Sequence, residues 1–381
     1  MYSIYEQYLY RLHDTAKHRT LPNLSQQINI NYLDFSTNDY LQLSHHPTVV
    51  QAAILAAECY GVGATGSRLL SGNHPCFEVL EARIAQDKNS EAALVFNSGF
   101  QTNISVLSSL LDSKCLSTKP LVFFDKLNHA SLYQAVFLSG AELIRYRHND
   151  IQQLSELLNR YKNHNQPKFM VTETIFGMDG DVLPISEMVS LAEQHQAFLY
   201  LDESHAMGII GPRGYGLSTT VNLQHIPHLI MGTFSKALGC SGGYIASHHL
   251  IKDYLINNSA GFIYSTANSP MVIGAVSAAW DMIRHLDKER QQLYTLSTYL
   301  RKCLIDLNFN VETSNSHIIP IILGSEKLSI KTKEMLFKNK IIVSCIRPPT
   351  VPPNTSRIRI ALNVSHTHQD IEKLIQVLAS L

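Results

Sequence analysis

The stretch Met231-Gly-Thr-Phe-Ser-Lys-Ala-Leu-Gly239 puts two hydroxyls and a lysine at the end of a short apolar run. A lysine leaving a strand end in apolar company loses charge by desolvation, and its neutral amine is a nucleophile fit to form an imine with an aldehyde. Thr233 and Ser235 are hydroxyls of the kind that hold a phosphate, and Gly239, Gly242 and Gly243 let backbone approach closely. An exposed turn lysine fits the same residues equally well. In Tyr200-Leu-Asp-Glu-Ser-His-Ala-Met-Gly208, Asp202 closes an apolar run and His205 follows in the next loop. A buried carboxylate needs a cation or hydrogen-bond donors, and a protonated pyridine nitrogen is one such cation. A third run, Phe96-Asn-Ser-Gly-Phe-Gln-Thr-Asn103, has the form of strand, turn and helix start, and a helix N-terminus is a natural phosphate cradle. His129 lies just past another strand end. Asp202, His205 and His129 also make a loose metal triad. Among 18 histidines such spacings arise by chance, and no HExxH or Cys/His cluster supports it, so no metal is expected.

These residues need a scaffold that brings strand ends together. The runs Ala92–Phe96, Leu121–Phe124, Phe169–Val171, Phe198–Leu201 and Leu229–Met231 are apolar on consecutive positions, the pattern of strands covered on both faces. Helical patterns such as Ser186–His195 lie between them, so an α/β fold with a largely parallel sheet is expected. Ligands of such sheets sit at the carboxyl ends of strands, where Asn97, Asp125, Glu173, Asp202 and Thr233 all fall. After Pro270 a long helical stretch is expected to about Asp306. A smaller alternation follows: strand His317–Leu323, helix Ser329–Lys338, strands Ile341–Cys345 and Arg357–Leu362, and helix Gln369–Leu381. Three parts result. Residues 1–38 form an N-terminal segment that is expected to pack on the C-terminal domain or on a partner. It holds an amphipathic helix over Tyr2–His18 with Ile4, Tyr8, Leu9 and Leu12 at helical spacing. Residues 39–270 form a large domain, and 271–381 a linking helix with a small C-terminal α/β domain.

Composition narrows the classes. Hydrophobic residues are 45% and charged ones 16% of 381, which excludes wholesale disorder. Lys plus Arg (31) balances Asp plus Glu (31), so neither nucleic acid nor an anionic membrane is an expected partner. Six scattered cysteines without a CxxC pair point to a reducing cytosol, and the apolar stretch Met271–Trp280 is too short to span a bilayer. A cytoplasmic protein is expected.

The pieces FSTNDYLQLS, GATGSRLLSGN, NSGFQTN, DKLNHAS, TETIFGMDGD, LDESHAMG, GTFSKALG and YSTANSP occur in the order seen in the α-oxoamine synthases, and the chain resembles that family over nearly its whole length. The resemblance implies the aspartate-aminotransferase fold type: a large domain built on a mostly parallel sheet and a smaller C-terminal α/β domain. It also implies pyridoxal phosphate (PLP) as cofactor. Lys236 matches the Schiff-base lysine, Asp202 the partner of the pyridinium nitrogen, His205 the histidine beside the phenolic oxygen, and His129 the one stacked on the ring. Gly99, Phe100 and Thr233 match phosphate contacts. Ser265 and Thr266 match residues that the neighbouring subunit contributes to the phosphate, which implies a homodimer. Arg359, with Asn38 nearby, matches the arginine that holds the amino-acid carboxylate, and Arg19 and Thr350 match substrate contacts, with Arg11 a competitor for Arg19. The segment Ile346–Leu362 most resembles the family member that joins L-alanine to a pimeloyl thioester, carried by coenzyme A or by an acyl carrier protein. Rival readings are a sister enzyme using glycine or another amino acid with a different acyl group, and a catalytically silent partner subunit, which typically lacks the lysine kept here. A metal hydrolase using His129, Asp202 and His205 is a third. Two positions depart from the family: Gly177 where many members have serine, and Gln42 where glycine is usual.

Overall fold

Valine, isoleucine, leucine and phenylalanine on consecutive positions favour strands buried on both faces, and the five apolar runs form strands. A computed structural model describes residues 1–21 and 32–381; positions 22–31 of the N-terminal segment lie outside the described residues. The strands are β1 (Leu33–Asp34), β2 (Ala92–Phe96), β3 (Leu121–Asp125), β4 (Glu142–Tyr146), β5 (Lys168–Glu173), β6 (Phe198–Asp202), β7 (His228–Thr233), β8 (Gly243–Ser247), β9 (Ile318–Gly324), β10 (Ile341–Ile342), β11 (Ser344–Ile346) and β12 (Ser356–Ala361). The chain divides into two units, one of residues 38–176 with 182–290, the other of 1–37, 177–181 and 291–381.

The larger unit holds a seven-stranded sheet in the order β2-β8-β7-β6-β5-β3-β4. Only β8 runs against its neighbours β2 and β7; the other pairs are parallel. The register sets Phe96 and Thr233 on either side of Gly243, and Asp202 between Glu173 and Met231. The polar strand ends therefore share one edge, as expected. Leu94, Phe124, Val171, Tyr200, Leu229 and Met231 belong to one buried cluster beneath that edge.

Two strands of this sheet were not expected. Edge strand β4 points Glu142 and Arg145 outward, which breaks the apolar run. Strand β8 begins at Gly243, a residue expected only to relieve crowding, and it does that too: a Cβ there would lie 2.5 Å from Thr102 Oγ1. The expected helix from Pro270 to Asp306 is two helices, Pro270–Ile283 and Asp287–Asp306. Asp287 and Glu289 in the first turn of the second helix favour a new N-terminus there. No helix among the described residues is long and apolar enough to cross a membrane.

The smaller unit contains the antiparallel sheet β11-β12-β9 and the short parallel pair β1-β10. The run Ile341–Cys345, expected as one strand, splits because β10 pairs with β1 while β11 pairs with β12. Its first helix, Tyr2–Asp14, buries no residue, and its stripe is open to solvent, with Ile4 67% and Tyr8 58% exposed. Arg347 ties down the segment after it through the carbonyls of Ala16 and His18. The expected boundaries differ from those of the units: Pro270–Ile283 goes with the large sheet, Gly177–Asp181 with the small one, and the division falls within Asp287–Asp306.

Candidate active site

At the end of β6, Asp202 is 3% exposed. Its Oδ1 accepts the Ser204 N–H at 2.9 Å and its Oδ2 accepts from Asn103 Nδ2 at 2.7 Å. Both of these donors are neutral, and they orient the carboxylate. One strand over, the chain bends after β7 and presents half-buried Lys236, whose positive charge reaches His129.

His129 is the N-cap of helix Ala130–Ser139; its Nδ1 accepts the Ser131 N–H at 3.3 Å and lies 2.7 Å from Ser131 Oγ. Desolvation lowers its pKa and the Lys236 charge adds to this, against an opposing pull from Asp202. Held neutral with Nδ1 accepting, the ring carries its proton on Nε2. Phe100 meets it edge-on, with centroids 6.3 Å apart. His205 is buried in the loop after β6, with Nδ1 2.7 Å from the hydroxyl of buried Tyr40, which also donates to Asn38 Oδ1 at 3.0 Å.

The phosphate elements meet at the neighbouring strand end. Ser98 caps helix Gly99–Leu110 by accepting from Gln101 N, and the first bond down the helix comes from Thr102 N, so Gly99 and Phe100 head the helix with its positive dipole end. Gly99 packs on Thr233: a Cβ would sit 3.1 Å from Thr233 Cβ. Thr233 Oγ1 donates to the Gly242 carbonyl at 2.8 Å, so in its 2.9 Å contact with Ser235 Oγ the exposed Ser235 hydroxyl is the donor. Asn97 donates to Ser265 Oγ at 3.0 Å and to the Thr266 carbonyl at 2.6 Å, so residues expected to serve a neighbouring subunit are held by this chain's own strand end.

The larger unit thus brings together Lys236, Asp202, His129, His205, Gly99, Phe100, Thr233, Ser265, Thr266 and Asn38. The remaining expected residues belong to the smaller unit. Arg359 is buried in β12 and donates through Nε to the Gly177 carbonyl at 2.5 Å. Arg19 donates to Thr350 Oγ1 at 2.9 Å, joining two expected substrate residues to each other. Gln42 has φ +54°, the left-handed backbone in which glycine is at ease, and its side chain bonds the Asp39 carbonyl.

Several residues were missed. In the sequence Asn103 marks only a helix start, yet it binds Asp202, Ser131 and Tyr200. It lies four residues after Gly99, hence on the same helix face, and that spacing is the signal that could have found it. Tyr40 and the buried pair Lys88–Glu203 had no local signal. Among the described residues, Glu91, His248 and His249 are the group of side chains at metal spacing. All three are exposed, and His248 Nδ1 is already engaged by Leu250 N, so they read as a hydrogen-bonded surface cluster. His129, Asp202 and His205 form no such group, against the metal-hydrolase reading.

The residues fit PLP. A buried carboxylate oriented by two neutral donors suits a protonated ring nitrogen, a helix N-terminus headed by a tightly packed glycine suits a phosphate, and an amine stands at the next strand end.

The model of the class I and II aminotransferase family matches residues 30–378. A protein of Paramagnetospirillum magneticum, provisionally named 8-amino-7-oxononanoate synthase, is 45% identical over 343 residues, or 90% of this chain and 86% of that protein. The solved 8-amino-7-oxononanoate synthase of Francisella tularensis gives a TM-score of 0.79 at 27% identity, covering 92% of this chain and 97% of the other. A variant of serine palmitoyltransferase from S. paucimobilis, solved with bound PLP and myriocin, gives 0.85 at 27%, covering 92% and 87%.

Proposed function

This chain belongs to the class I and II aminotransferase family, in its α-oxoamine synthase branch, and from that premise we propose that it joins L-alanine to a pimeloyl thioester. The products are 8-amino-7-oxononanoate, carbon dioxide and the free thiol of coenzyme A or an acyl carrier protein. It is a PLP-dependent C-acyltransferase of biotin biosynthesis. The identity of 45% across 90% of the chain to a relative given that name is the observation that carries the substrate assignment.

When bound, PLP supplies an aldehyde that captures the amino group and a protonated ring that withdraws electrons from the substrate's Cα. Every other part falls to the chain. Asp202, its carboxylate oriented by Asn103 and the Ser204 N–H, would accept the N–H of the protonated ring and keep it protonated. Lys236 holds the aldehyde at rest, and its freed Nζ removes the α-proton of alanine and later returns a proton to Cα. His129 covers the ring and excludes water from it. His205, braced by Tyr40, is placed for the phenolic oxygen. The head of helix Gly99–Leu110, with Thr233, takes the phosphate, and Ser265 and Thr266 contribute to the phosphate of a second subunit in a homodimer. Arg359 grips the alanine carboxylate with its planar fork; Asn38, Arg19 and Thr350 contact substrate. All six thiols are free, which suits a cytoplasmic enzyme.

Pimeloyl-CoA supplied with alanine, glycine or serine, and the product identified by mass, tests the substrate. The 8-amino-7-oxononanoate mass with alanine alone is expected. Product with glycine or serine in place of alanine, or none from pimeloyl-CoA when a long-chain acyl-CoA supplied in parallel is turned over, would assign a sister activity.

A further inference from the structure

Asn103 is buried behind the site and no step above uses it. Its amide is fully engaged: Oδ1 accepts from the Tyr200 hydroxyl at 2.8 Å, and Nδ2 donates to Asp202 Oδ2 at 2.7 Å and to Ser131 Oγ at 3.0 Å. The polarity of this cluster is forced. A carboxylate only accepts, so the NH2 end must face Asp202. Burial holds the Tyr200 phenol well above its ordinary pKa, so it remains a donor and fixes the amide's oxygen end. With a lone pair taken by the amide, Ser131 turns its own hydroxyl toward His129 Nδ1, 2.7 Å away. One amide therefore connects the strand-end carboxylate to the capping histidine, across 99 and 28 residues of sequence.

We propose that Asn103 is a positioning residue: its amide aims the Asp202 carboxylate at the cofactor's ring nitrogen and, through Ser131, holds His129 in step with it. This rests on the reading that Asp202 meets that nitrogen. The alternative is that Asn103 only fills space, and shape separates the two. Asn103→Asp keeps the shape but sets an acceptor against Asp202, whereas Asn103→Leu removes the polar atoms and keeps the bulk.

The test is release of PLP from the full-length holoenzyme on dilution, followed through the visible band of the bound cofactor, with thermal unfolding recorded alongside. Loss of a hydrogen bond to a charged group is expected to weaken PLP retention about tenfold in Asn103→Leu. Asn103→Asp is expected to be weaker still, with a displaced visible band. Retention within about twofold of wild type in either variant, or Asn103→Leu at least as weak as Asn103→Asp, would overturn the proposal. If neither variant folds, Tyr200→Phe removes only the hydroxyl that fixes the amide. Several-fold weaker retention with a displaced band is then expected, and unchanged values would overturn the assignment. No acyl donor enters the assay, so failure of the pimeloyl reading leaves this result standing, while a wild type that holds no PLP would sink both.

Discussion

Asp202 and Glu203 are consecutive and both buried, at 3% and 0% exposure, yet different kinds of group meet their carboxylates. Glu203 has its own cation in Lys88, which also donates to the Tyr215 carbonyl, and it accepts from Ser218 N at 2.7 Å and Ser218 Oγ at 3.0 Å. Burial lowers the Lys88 pKa and the Glu203 charge opposes the fall. Asp202 is met by an amide and a backbone N–H. Two buried carboxylates one residue apart thus divide structure from chemistry. The one paired with Lys88 braces the loop after β6, and the one held by an amide and a backbone N–H is the partner of the ring nitrogen in the proposed reading.

The largest effect expected from breaking this contrast is on stability. Lys88→Met strands the Glu203 charge in the interior and should cost about 3–5 kcal/mol in urea unfolding. Adding Glu203→Leu should restore most of that, since a buried pair replaced by apolar groups is near neutral. If Lys88→Met alone is harmless, the brace is not a brace. Asp202→Asn should leave the protein folded while slowing α-proton exchange of alanine by about a hundredfold or more, the scale of losing a preorganised electrostatic group. Exchange measured by NMR in deuterated water at an unchanged rate would erase the distinction between the neighbours. The smallest effect tests the turn that carries Tyr40 to His205. Gln42→Gly relieves a left-handed backbone and should gain about 1 kcal/mol, less whatever the side-chain bond to Asp39 contributes. A loss of stability on that change would mean the bond outweighs the backbone cost.

Much of the larger unit was legible because parallel strands announce themselves as apolar runs with polar ends. Asp202, Thr233 and Asn97 were found at one edge for that reason, and Lys236 and His129 lie just past it. What stayed hidden depends on partners far apart in the chain. Asn103 pairs across 99 residues with Asp202, Tyr40 across 165 with His205, and Lys88 across 115 with Glu203. In the segment Gln86-Asp-Lys-Asn-Ser90, Lys88 has the look of a solvated helix end. Strand β4 was missed because an edge strand alternates exposure, and the break between Ile283 and Asp287 because propensity carries through it while capping and charge do not. The open stripe of Tyr2–Asp14 shows that helical periodicity fixes spacing without naming what covers it.

The most direct measurement is borohydride reduction of the PLP-loaded protein followed by peptide mapping. One pyridoxyl phosphate on Lys236, absent from Lys236→Ala, is the expected result. An adduct on any other lysine, or no stable adduct at saturating PLP, would contradict the assignment of Lys236 and with it the placement of Asp202, His129 and His205 around a shared ring.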